Sequence, residues 1–394
     1  DGVNPDVPAE AYGRFSDEVD AAATAAQSGK LSMTGGRYIV YHSTFAAPNL
    51  SGDYDLSGGV IQFDGNNQSV RTPKSYINIE VTGVNVGTPA GNITLKENGT
   101  FIVKNNGVFL INSNAITGPT GSQTVTVEGG GLFKTGDANG FNGGTNTSIK
   151  NDIETINLLT NSTVEYSRET GTGDQTITLF TPAYKNLAIS GTGTKTLLDN
   201  TATRADENLN IISSRLLVEV DKVITVKQAV NITPTTGVFE IQNNGQLIQI
   251  DEAVSNSGTG SNFKVNRITK VNNLDYVYWS SPTEDFNVSG LPNNNRYYWS
   301  PTAPNANSTQ GNWLTASGNM IKGQGYIARI ANASPIIPLD TNVILQGSKP
   351  FNGEFSYGIS RGFTTGTDDC WNLVGNPYPS AMDAEQFLVE NTNI

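Results

Sequence analysis

The chain has 394 residues, 42 of them glycine, with only 15% charged residues and a formal charge of −12. That acidity lacks the basic footprint a nucleic-acid partner requires. A single cysteine, Cys370, and a single histidine, His42, exclude an internal disulfide framework, a cysteine-based structural zinc site and a histidine-dependent triad, leaving carboxylates as the only well-supplied chemistry.

In chain order, the first element is an Ala-rich stretch, "PAEAYGRFSDEVDAAATAAQSGK", with acidic residues early and Lys30 late. This polarity complements a helix dipole and predicts a helix over about Asp17–Ser28, within an N-terminal segment spanning 1–35. From Arg37 the hydrophobic period switches to two. "RYIVYHSTF", "YINIEVTG", "NITLKENGTFIVKNNGVFLIN" and "SQTVTVEGGGLFK" alternate apolar and polar residues and break at Gly or Asn. Asn98-Gly99 and Asn106-Gly107 are turn signals, because both residue types reach positive φ. His42, inside one such strand, reads as a surface or packing residue.

Two stretches repeat. "GGVIQFDGNNQSVRTPKSYINIEVTG" (Gly58–Gly83) returns as "STVEYSRETGTGDQTITLFTPAYKNLAISG" (Ser162–Gly191), aligning Gln68 with Gln175, Pro73 with Pro182 and Tyr76-x-Asn78 with Tyr184-x-Asn186. "GTFIVKNNGVFLI" (Gly99–Ile111) returns as "GVFEIQNNGQLIQI" (Gly237–Ile250). Two matches in the same order imply a duplicated unit. Short strands with Asn and Gly at the corners favour a β-solenoid over 36–257, of about nine coils at roughly 20–25 residues each. A pair of β-sandwiches is the competing architecture.

A Gly/Ser/Asn stretch, Ser255–Phe263, marks a compositional shift. All four tryptophans (Trp279, Trp299, Trp313 and Trp371) lie beyond it. Residues 258–394 are therefore expected to form an aromatic-rich antiparallel β-domain, sandwich-like or capping the solenoid. No stretch approaches the roughly 20 apolar residues of a membrane-spanning helix, so membrane insertion is not expected. The chain starts at Asp1 without a signal peptide and stops at "ENTNI", and is read as one piece of a longer protein.

Several motifs offer chemistry. In "DDCWNLVGNPYPSAMDAEQF" (Asp368–Phe387), Pro377 and Pro379 stiffen a turn. Trp371, Leu373 and Val374 read as a strand feeding it, and Ser380 as the cap of a following short helix. The ordinary reading of this stretch is a strand, a rigid turn and a short helix; the functional one is ligand contact at Trp371 or Tyr378. Trp279, Trp299, Trp371 and Tyr378 are together the candidate sugar-stacking residues, set against simple core filling. Carboxylate pairs occur at Asp53 with Asp55, Asp251-Glu252, Glu284-Asp285 and Asp368-Asp369. Adjacent strand residues face opposite ways, so such pairs read first as solvated turn residues and only second as hydrolytic or Ca²⁺-binding groups. "TGDANGFNGG" (Thr135–Gly144) contains an Asp-x-Asn-Gly core, which makes Asp137 and Asn139 the candidate Ca²⁺ ligands, without the downstream Glu of an EF-hand.

Beyond residue patterns, "FKVNR" (263–267), "YVYWSSP", "YYWSP…GNW", "GQGYIARI", "FNGEFSYGI" and "CWNLVGNPYPSAMDAEQFL" resemble a module of large secreted proteins of Bacteroidota, and "AYKNLAISGTGTKTLLDN" (183–200) resembles the β-solenoid repeats that often precede it. The resemblance implies cell-surface or extracellular cargo of the type IX secretion system, adhesin-like, with outer-membrane translocon proteins as partners during export and surface glycans as targets. It implies no catalytic residues. The reading is therefore a non-enzymatic stalk and adhesive segment; the alternative is an extracellular carboxylate-dependent polysaccharide hydrolase or lyase built on the solenoid.

Overall fold

The computed structural model describes residues 31–41, 47, 52–87, 90–119, 121–198, 203–272, 274–306, 309–330, 338–362 and 370–392. The helix expected over Asp17–Ser28, His42 and the Asp368-Asp369 pair lie outside these residues. Among the described residues the protein is all-β: a β-solenoid of about nine turns, with one short α-helix near the C-terminus. It divides into two compact units, the described residues up to 198 with 203–207, and those from 208 onward.

In the first unit the coils stack in parallel. Thr100–Val103 pairs in register with Thr124–Val127, and Val108–Ile111 with Leu132–Thr135, each 24 residues further on. Leu132–Thr135 continues to Thr163–Tyr166, and that strand to Asn186–Ile189. While Thr163–Tyr166 and Asn186–Ile189 each bury their last three residues, burial alternates along Thr124–Val127 and Leu132–Thr135, where every second side chain is buried. The reason is the two-residue period of a strand: one face lines the interior and the other meets water. A parallel sheet is normally covered on both faces; here closure of each coil on itself supplies the inner cover.

The interior is a ladder of rings. Phe101, Phe109, Phe133 and Phe141 follow one another with centroids 4.6, 5.3 and 5.1 Å apart, and Phe141 continues to Phe180 and Tyr184. Mostly edge-on or tilted, these contacts suit the aromatic quadrupole and fill the width of a coil. Outside, ion pairs bridge successive coils: Lys104–Glu128 at 2.7 Å, Lys134–Glu165 at 3.1 Å and Lys185–Asp206 at 3.2 Å.

One corner recurs in both units. The amides of Gly107, Gly131 and Ser162 donate to Lys104, Glu128 and Leu159, as do those of Lys222 and Gly245 to Glu219 and Gln242. The third residue of each turn is Asn106, Gly130, Asn161, Asp221 or Asn244, all with φ between 61° and 80°. That left-handed conformation selects Asn, Asp and Gly. A Cβ on Gly107 would stand 2.2 Å from the Val81 carbonyl oxygen, so the chain there passes too close to the coil below for a side chain.

The two stretches that sequence alignment pairs carry the same contacts. Gln68 and Gln175 are both buried. Each accepts the amide of a turn residue, Gly65 or Arg168, and donates to a carbonyl of an earlier coil, Val40 or Thr135. Asn78 and Asn186 each donate to a carbonyl of the preceding strand, Gly59 or Ser162. Both Thr72-Pro73 and Thr181-Pro182 are cis.

In the second unit Ser214–Val218, Gly237–Ile241 and Phe263–Val265 continue in parallel, as do Val223–Val226 with Gln246–Gln249 and Leu209–Ile211 with Val230–Ile232. Each run then meets a different terminator. Phe263–Val271 pairs antiparallel with Leu339–Gly347. Ser257 bridges Asn231, exchanging backbone bonds with Val230 and Ile232. The Leu247 amide donates to the Pro379 carbonyl at 3.3 Å. Within the Ser255–Phe263 stretch, Asn256 is buried and bonded to Val230, Gln249 and Pro350. An antiparallel sheet follows, ordered Tyr276–Trp279, Tyr326–Arg329, Arg296–Pro304, Gln310–Thr315.

The C-terminal motif departs from its expected form. Instead of a strand, residues 371–375 make a single bridge, Val374 to Gln324. The helix runs Ala384–Glu390 and is capped by Asp383, whose Oδ1 accepts the Gln386 amide, not by Ser380. Ser380 is held in the preceding turn, where its carbonyl accepts Asn376 Nδ2 at 2.7 Å, and so the helix starts three residues later.

Candidate functional site

Of the residues nominated by sequence, Asp137 and Asn139 form a loop that satisfies itself. Asp137 Oδ1 accepts the Asn139 amide at 2.8 Å and its side-chain NH₂ at 3.3 Å, while Asn139 Nδ2 also reaches the Asn146 carbonyl. Burial raises the Asp137 carboxyl above its usual range, with the Asn139 bonds opposing. Among the described residues, no three His, Cys, Asp or Glu side chains stand together as a metal-binding group.

The carboxylate pairs are likewise used one at a time. Asp53 Oδ1 accepts the amides of Tyr54 and Ser75, whereas Asp55 accepts the Ser32 hydroxyl. Glu284 pairs with Lys349 at 3.4 Å, while Asp285 accepts the Ser348 hydroxyl. Asp251 accepts the Ala253 amide. Strand and turn geometry sends neighbouring carboxylates in different directions.

The aromatic candidates separate into two places. Trp299 Nε1 donates to the Trp371 carbonyl at 2.9 Å and its ring meets Trp313 edge-on at 5.3 Å. Trp371 itself is 69% exposed. Trp279 and Tyr378, by contrast, both line one cavity of about 670 Å³, within the size range of small-molecule sites. Segments far apart in sequence build it, among them the coil corner around Asn243–Gln246, the strand bearing Arg267 and Thr269, the stretch with Tyr278, Trp279 and Ser280, and the Pro-stiffened turn Asn376–Ala381. That turn is anchored by Ser280, whose hydroxyl donates to the Asn376 carbonyl, and by Gln246, whose Oε1 accepts the Ala381 amide.

A second cavity of about 580 Å³ is lined by Glu252, Glu284 and Glu354 together with Lys322 and Lys349. Lys322 Nζ stands 4.9 to 5.7 Å above the rings of Phe355, Phe351 and Tyr378, in cation–π geometry, and donates to the Asn352 carbonyl. Burial pushes its ammonium below the ordinary lysine range, with Glu284 opposing. Tyr378 joins the two cavities: its ring lines one, carries Lys322 of the other, and its hydroxyl donates to Gly353 at 2.6 Å. Burial, then the charges of Glu252 and Glu354, raise the Tyr378 phenol.

Sequence reasoning missed Arg267, Thr269 and Lys322. Arg267 and Thr269 had a signal, since residues two apart on a strand share a face. Lys322 had none, because its rings come from segments 29 to 56 residues away.

Among curated proteins and solved structures, no match to this chain is found. Residues 178–394, more than half of the chain, match the family model described as a domain of unknown function, DUF8693, and the chain belongs to that family.

Proposed function

We propose that the chain is a non-enzymatic segment of a large secreted cell-surface protein, a solenoid stalk that holds a binding surface away from an outer membrane, exported by the type IX route. The observation that carries the reading is the finished stack of the second unit. Each parallel run ends on a covering element: Leu339–Gly347, Ser257 or Pro379. Such covers blunt the exposed strand edges that would otherwise drive aggregation, a need that is acute for a protein working outside a cell. In this reading residues 258–394 form an aromatic-rich, sandwich-like β-domain, outer-membrane translocon proteins are its partners during export, and surface glycans are its targets.

The alternative, a polysaccharide hydrolase or lyase, is favoured by one observation, the three glutamates lining the Lys322 cavity. Two assays separate these readings. Labelling of intact producing cells with an antibody to this chain, with and without external protease, is expected to give a protease-sensitive surface signal. Incubation with neutral and acidic polysaccharides is expected to release no new reducing ends. Signal confined to broken cells overturns the stalk reading, and released ends that disappear in Glu284→Gln establish the enzyme.

A further inference from the structure

The Trp279 cavity holds polar groups that the fold does not use. Trp279 is only 6% exposed, yet among the described residues its indole N–H has no hydrogen-bond partner, and neither has the buried hydroxyl oxygen of Thr269. Both residues line this one cavity. An orphaned buried polar group forfeits a hydrogen bond it had in water, so two among the residues lining one cavity point to a partner supplied from outside. Arg267 stands in the same wall. Its guanidinium donates to the carbonyls of Asn266 and Gln242, and among the described residues it forms no ion pair with a carboxylate. Burial lowers the guanidinium from its ordinary range.

The donors decide the ligand. An indole N–H and a guanidinium only donate, and a hydroxyl does so readily. Their complement is an acceptor-only group, a carboxylate, for which a guanidinium is the preferred binder. Beside them the Tyr378 ring, its hydroxyl already committed to Gly353, offers a face for an apolar sugar surface. Asp221, exposed at the left-handed corner, lines the same cavity and can accept hydrogen bonds from hydroxyls.

We propose that this cavity binds a carboxylate-bearing sugar residue of the uronic-acid class, held by Arg267, Trp279 and Thr269 and stacked on Tyr378. The inference rests on the glycan-binding part of the function proposed above and names its ligand.

The test is titration of the whole chain with methyl β-D-glucuronide and methyl α-D-galacturonide, followed by NMR or calorimetry. Methyl glucoside and acetate serve as controls. At least one uronide is expected to bind and both controls to fail. Thr269→Val, nearly isosteric, and Trp279→Phe are each expected to weaken binding about three- to tenfold, the worth of one hydrogen bond, and Arg267→Gln by more. Melting curves report which variants remain folded, and Thr269→Val by itself decides if the larger substitutions unfold the chain. No uronide binding, equal binding of methyl glucoside, or binding unchanged in Thr269→Val overturns the proposal. Surface labelling of intact cells is a separate readout: a chain found on the surface that binds no uronide sinks this inference alone, and one that binds uronide but is never exported sinks the stalk reading alone.

Discussion

The Pro379 carbonyl accepts the Leu247 amide at 3.3 Å, joining the Pro-stiffened C-terminal turn to the last strand of one parallel run. Leu247 belongs to Gln246–Gln249, whose other edge pairs with Val223–Val226. The bond therefore falls on the open edge, where a further coil would otherwise add. The Asn-Pro-Tyr-Pro motif is a structural cap first, and through Tyr378 a cavity wall second.

The cap depends on Asn376, whose side chain accepts the Tyr378 amide at 3.0 Å and donates to Ser380 at 2.7 Å. Asn376→Ala removes both bonds and is expected to cost about 1–3 kcal/mol. Urea denaturation measures the loss, and light scattering should show faster association as the Leu247 edge opens.

The ring ladder gives the first unit its interior. Phe133 is fully buried between Phe109 and Phe141. Phe133→Ala should destabilise by about 3–5 kcal/mol, because neighbours above and below cannot collapse into the space, and Phe133→Leu by less. A Phe133→Ala melting temperature equal to that of the parent would refute the ladder as the core.

At the recurring corner, Asn106 has φ 63°. Asn106→Gly is expected to leave stability nearly unchanged, and Asn106→Ala to lose about 1–2 kcal/mol, the cost of placing an ordinary side chain in the left-handed region. Comparing the two variants isolates backbone conformation from side-chain contacts.

Lys195 is a fully buried ammonium, bonded to the carbonyls of Gly173 at 2.5 Å, Thr192 at 2.8 Å and Arg168 at 3.3 Å. Burial, opposed by Asp174, pushes it down to about 8 from 10.5. The folded state thus releases this proton before the unfolded state does. Between pH 8 and 10.5 the unfolded chain binds more protons, so stability rises with pH there as the penalty of burying the charge is relieved; below pH 8 that penalty is complete and independent of pH. Denaturation from pH 7 to 10.5 should show this rise in the parent relative to Lys195→Met; parallel pH profiles for the two would contradict it.

The sequence by itself determined what short-range physics controls. The two-residue alternation fixed which side chains of Thr124–Val127 or Val223–Val226 face inward. Asn106 announced its corner because so few residues tolerate positive φ. The matched Gln68 and Gln175 flagged equivalent buried turns. What sequence did not carry was closure. Nothing local tells Arg267 that it will share a cavity wall with Trp279 and Tyr378, or Lys322 that three rings will surround it. Nor does the order of residues say that Pro379 will finish a strand more than 130 positions earlier. Those pairings are set when coils stack and the chain returns on itself, because hydrogen bonds at an open strand edge and contacts between rings depend on position in space and hardly at all on separation along the chain.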